Sequence, residues 1–161
     1  MKKLKVYLET TLFNYYFDED RLAHPATIRL FESIAAGTYE AYTSDYVVDE
    51  LESTRSDKRE KMLALIEQYG ISVLGLDSEA ERLADTYVEQ GIIPLKYRTD
   101  GVHIAVAAVS DLDMIVSMNF EHIVKRKTKM GTSRINALQG YRAVEIYNPM
   151  EVDGDETNES N

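Results

Sequence analysis

The stretch Thr99–Met118, "TDGVHIAVAAVSDLDMIVSM", constrains the fold more than any other segment. Its first part is apolar on every side of a helix rather than along one stripe, so this helix belongs inside a core. Thr99 or Asp100 is placed to begin it. Its second part, "MIVSM", is apolar apart from Ser117, as expected for a strand covered on both faces. Such a strand needs a layer of helices above and below. The segment therefore predicts a three-layer α/β domain with a mostly parallel central sheet flanked by helices.

The rest of the chain repeats that alternation. "LKVYL" (Leu4–Leu8), "YEAYTS", "ISVLGL" and "RAVEIY" read as strands. "PATIRLFESIAAG" spaces Ile28, Phe31, Ile34 and Ala35 as a helix does and stops at Gly37. Ser44 is an N-cap for "DYVVDELES". "DKREKMLALIEQYG" closes at Gly70, and Ser78 with Glu81 has capping-box spacing before "AERLADTYVEQG". No internal repeat or linker interrupts the series. The reading is one domain over 1–152 and an acidic, disordered tail over 153–161.

The 161 residues are 44% hydrophobic, enough for one core, and no apolar run is long enough to span a bilayer. The N-terminus lacks a signal-peptide pattern, so a cytoplasmic protein is expected. There is no cysteine, which excludes disulfides and thiolate sites and leaves oxygen or imidazole as metal ligands. The net charge of −10 speaks against general coating of nucleic acid. That charge is uneven. Five acids fall at or after Glu151, and the remainder of the chain carries −5. A basic run, "KRKTK", begins at Lys125; alone, such a run is usually a solvated face.

Ligand sites in open parallel sheets form beyond the C-terminal ends of the strands. Glu9 follows the first strand, Glu50 lies on the helix after the second, Asp100 opens the apolar helix, and Asn119 follows "MIVSM". Each alone has a plainer role. Glu9 and Glu50 suit solvated surfaces, Asp100 a first helical turn, and Asn119 a cap for "FEHIV". Together they form an oxygen-rich set that suits Mg²⁺ or Mn²⁺, ions that clamp phosphodiesters. His103 reads as a hydrogen-bonded core histidine, and His122 reaches the edge of the site. Tyr15 and Tyr16 read as core.

"KVYLETT", "TSDYVVDEL", "TDGVHIAVAAVSDLDMIVSMNFEHI" and "EIYNPMEV" resemble the PIN domains, in particular their VapC-like prokaryotic branch, over about Lys5 to Val152. The resemblance implies a Mg²⁺- or Mn²⁺-dependent endoribonuclease, and for a toxin-like member a small antitoxin partner and a homodimer. It places the acids on Glu9, where many members have Asp, on Glu50 and on Asp100. The fourth falls on Asn119, often Asp in the family, with Thr10 and Ser117 in support. Lys96, Arg98, Lys125, Arg126 and Lys127 are expected to guide the RNA backbone. The uncharged fourth position also suits a non-catalytic PIN fold that binds RNA or protein.

Overall fold

The structure, a computed structural model, describes residues 2–152. The acidic segment 153–161, expected to be disordered, lies outside the described residues. Five strands, β1 (Leu4–Leu8), β2 (Tyr39–Ser44), β3 (Ser72–Leu74), β4 (Met114–Val116) and β5 (Glu145–Tyr147), form one sheet. Its order is β3-β2-β1-β4-β5 and every pairing is parallel. Val6, Tyr7 and Leu8 on central β1 and Ile115 and Val116 on β4 are fully buried. Each buried side chain of that size contributes roughly 1.5–3 kcal/mol. The edge strand β3 is largely exposed.

Helices α1 (Thr10–Tyr15), α2 (His24–Ala35), α3 (Asp45–Glu52), α4 (Arg59–Gln68), α5 (Ser78–Glu89), α6 (Arg98–Val109) and α7 (Arg126–Leu138) flank the sheet. On α6 every residue from Gly101 to Ala108 is buried, as its apolar surface requires. Gly101 lets α6 approach α5: a Cβ there would stand 3.1 Å from Ile93 and 3.5 Å from Tyr87. Gly37 ends α2 with φ +83° and Gly70 follows α4 with φ +63°, the left-handed geometry expected of glycines past helix ends.

Three local expectations are corrected. Asp77, not Ser78, caps α5, because its carboxylate accepts from the N–H groups of Glu79 and Ala80 at 2.8 and 3.1 Å. Helix α6 starts at Arg98 with no side-chain cap, and Asp100 lies inside its first turn. "FEHIV" forms turns rather than a helix, folded around the Asn119 carbonyl, which accepts from the N–H groups of Ile123 and Val124.

Candidate active site

The strand order fixes where a site can form. From β1 the chain moves outward through β2 to β3, then returns to the other side of β1 for β4 and β5. In a parallel sheet of this order a ligand crevice is expected beyond the C-terminal ends of β1 and β4, where the order switches sides. Glu9 immediately follows β1, and its N–H donates to the Val116 carbonyl at the end of β4.

Glu9 is 3% exposed and occupies the N-cap of α1. Glutamate is not a favoured N-cap; here other donors hold it. Its Oε1 accepts from the Thr11 N–H at 3.2 Å, the Thr11 hydroxyl at 2.5 Å and the Ser117 hydroxyl at 2.6 Å. Burial still raises the Glu9 carboxyl above the usual range, against the opposing charge of His103 and these hydrogen bonds. Of the two threonines it is Thr11 that bonds Glu9; the buried Thr10 hydroxyl, expected in support of the site, has no hydrogen-bond partner. The cap geometry explains the exchange, since an N-cap side chain folds onto the second or third residue of its helix. Thr11 also accepts from the Met118 N–H at 2.8 Å, joining α1 to the segment after β4. Ser117 serves both sides, donating to Glu9 and accepting from the Asn119 N–H at 2.9 Å.

The Asn119 Oδ1 accepts from the His122 N–H at 3.0 Å. Burial raises the Asp100 carboxyl; the neighbouring Asn119 side chain and the charges of His103 and His122 pull it down, and Glu50 pushes it up. Glu50 is half-exposed on α3, and its Oε1 lies 2.6 Å from His103 Nε2. The fully buried His103 places its Nδ1 2.7 Å from the Tyr7 hydroxyl. Burial acts to lower the His103 pKa, but Glu50, then Glu9 and Asp100, raise it above the ordinary imidazole value. All three carboxylates therefore act on one imidazole.

Sequence reasoning kept His103 in the core, which is where it lies, but missed that it touches Glu50. His122 stacks on Tyr97, with ring centroids 3.9 Å apart, and its two ring nitrogens are buried without hydrogen-bond partners. The aromatic rings of Tyr97 and Phe120 are partly open to solvent.

The basic residues divide. Arg98 turns towards α5, pairing with Asp85 at 2.6 Å and donating to the Glu81 carbonyl at 3.2 Å. Lys96 is exposed, its Nζ 5.7 Å from the Tyr97 ring centroid. Lys125, Arg126 and Lys127 gather at the start of α7, where Lys125 is the N-cap without a side-chain capping bond.

The donor set fits a hard divalent cation in its chemistry. It consists of carboxylate oxygens, and burial leaves two of them with a penalty on their charge that a cation relieves. Among the described residues no three His, Asp or Glu side chains form a ready metal cage. Mg²⁺ does not require one, since it commonly binds through one or two carboxylates and keeps several waters.

No protein-family model matches the chain, and no curated protein matches its sequence. Among solved structures, VapC20 of Mycobacterium tuberculosis, a toxin that cleaves the sarcin-ricin loop, superposes with a TM-score of 0.55 at 13% identity. The match covers 86% of this chain and 98% of that one. A chain of VapBC2 from Rickettsia felis, solved with a DNA fragment from its promoter, gives 0.58 at 13% identity, covering 90% and 98%. The chain thus has the three-layer, PIN-like α/β fold of these VapC toxin structures.

Proposed function

We propose that the protein is a metal-dependent endoribonuclease of PIN type, the toxin of a toxin–antitoxin pair, and that Glu9, Glu50 and Asp100 hold Mg²⁺ or Mn²⁺. The observation that supports this most is the contact of Glu50 with the fully buried His103 at 2.6 Å, an imidazole whose pKa Glu50, then Glu9 and Asp100, raise. A bound divalent cation supplies Lewis-acid polarisation of a phosphoryl oxygen and lowers the pKa of a water. The chain's own part is to hold the ligands. Thr11 and Ser117 fix Glu9, and His103 fixes Glu50.

RNA is the proposed substrate. Lys125 at the N-cap and Arg126 and Lys127 in the first turn of α7 oppose its dipole, an arrangement that costs roughly 0.3–1 kcal/mol per charge and that an anionic backbone offsets. Lys96, Lys125, Arg126 and Lys127 are the proposed contacts; Arg98 is already engaged by α5. The proposal extends to a small antitoxin that blocks the crevice, a homodimer and a cytoplasmic location.

Purified protein is to be assayed on single-stranded and structured RNAs across a Mn²⁺ series, beside Asp100→Asn. The expected result is Mn²⁺-dependent cleavage in the wild type and a loss of at least about 100-fold in the variant, as for removal of one electrostatic stabiliser. Equal cleavage by both proteins would reject the assignment of Asp100. Absence of cleavage together with tight RNA binding would favour the non-catalytic reading that the uncharged Asn119 motivates.

A further inference from the structure

A chain of side chains runs from the core to Glu50. Ser44 Oγ lies 2.7 Å from the Tyr7 hydroxyl, which lies 2.7 Å from His103 Nδ1; His103 Nε2 lies 2.6 Å from Glu50 Oε1. Ser44, Tyr7 and His103 are fully buried, and only Glu50, at 39% side-chain exposure, reaches the crevice. The series closes on itself. Ser44 is the N-cap of α3, accepting from the Val47 N–H, and α3 is the helix that carries Glu50. The ends of β1 and β2, the start of α3 and the middle of α6 are thereby fixed to one another.

We infer that His103, backed by Tyr7 and Ser44, is a positioning residue that holds Glu50 for cation binding; the inference rests on the proposed metal-dependent reading of the site. An untethered surface glutamate loses rotamer freedom when it is ordered. The imidazole orders it in advance. A histidine needing only a satisfied place in the core could take a backbone carbonyl. Here both ring nitrogens are spent on side chains, one of them a carboxylate at the crevice. Partners that orient metal ligands are commonly worth 10–100-fold in metal affinity or activity.

The arrangement works without a change of protonation. The carboxylate fixes Nε2 as a donor. The Tyr7 and Ser44 hydroxyls can each turn, so Nδ1 is satisfied either as acceptor from Tyr7 or as donor to it. Geometry, not proton transfer, is what the relay supplies.

The test uses three variants of the full chain. His103→Gln places an amide nitrogen near the position of Nε2, facing Glu50. His103→Asn places its amide near Nδ1, facing Tyr7 and leaving Glu50 untethered. Tyr7→Phe removes one hydroxyl and keeps the buried ring, so it folds even where a His103 variant does not. Mn²⁺ affinity is measured by calorimetry, Tm without metal by thermal melting, and RNA cleavage as separate kcat and KM.

Expected are a loss of Mn²⁺ affinity of about 10-fold or more in His103→Asn, recovery to within about threefold of wild type in His103→Gln, and a smaller loss in Tyr7→Phe. KM for RNA stays unchanged. The inference is overturned if Asn and Gln variants bind Mn²⁺ alike, or if affinity simply follows Tm across the series. Wild-type protein that binds Mn²⁺ but cleaves nothing would sink the nuclease reading alone, with the affinity order still deciding His103. Wild-type protein that binds no Mn²⁺ would overturn both.

Discussion

Glu9 and Asp100 are carboxylates that burial has left above their usual pKa range, and this has a direct consequence for stability. An acid whose folded-state pKa is raised binds its proton more tightly in the folded chain. Its ionisation then destabilises the fold. The cost sets in as pH rises past the unfolded value, about 3.9 for Asp, and is complete above the folded value. Metal-free Asp100→Asn should therefore melt above wild type at pH 7, with the gap closing as pH falls towards about 4. Thermal melts between pH 4 and 8 check this; a variant less stable at pH 7 would show that the surroundings of Asp100 already compensate its charge. At this scale Glu9, Glu50, Asp100 and Ser117 were legible as polar residues at strand and helix ends. Thr11 was hidden by its neighbour. Two consecutive threonines look alike in sequence, and only the cap geometry tells which one bonds Glu9. The bond from the His122 N–H to the Asn119 side chain was equally invisible, because it depends on how the turn after β4 closes.

Among the elements, α6 was the easiest to read and α7 the hardest, for the same reason. Hydrophobic periodicity finds helices whose buried faces are apolar. The inner face of α7 is built largely from Thr128, Thr132 and Asn136, four residues apart, with Ile135 beside them. Their polar atoms are satisfied locally. Thr128 donates to the His122 carbonyl at 2.8 Å, Thr132 to the Thr128 carbonyl at 2.7 Å, and Asn136 Oδ1 accepts from the Tyr87 hydroxyl. In the sequence, accordingly, only the basic run stands out there. The helix docks through Gly131, where a Cβ would lie 2.7 Å from Ile92 Cγ1 and 3.1 Å from its Cγ2. Those atoms are the branched base of a short side chain and have little freedom to withdraw. Gly131→Ala is expected to lower unfolding free energy by about 1–3 kcal/mol, the usual cost of overpacking. Urea unfolding measures it, and a neutral or stabilising result would mean that α7 shifts freely on Ile92.

For the molecule as a whole, the alternation of strands and helices gave the α/β class and parallel pairing, but not the strand order. Two orders that bury the same apolar strands are indistinguishable by composition. The order matters because it puts the switch point between β1 and β4 and so makes Glu9 and Ser117 neighbours across 108 positions of chain. With Glu50 in contact with His103, and Glu9 and Asp100 acting on the same imidazole electrostatically, the fold frames the proposed anionic site. The measurement that tests this most directly is anomalous diffraction at the manganese edge from crystals soaked in Mn²⁺. The account predicts a peak beyond the C-terminal ends of β1 and β4, within about 2–2.5 Å of a carboxylate oxygen of Glu9, Glu50 or Asp100, or roughly 4 Å from it where a water intervenes. A peak confined to other surface acids, or none at millimolar Mn²⁺, would contradict it.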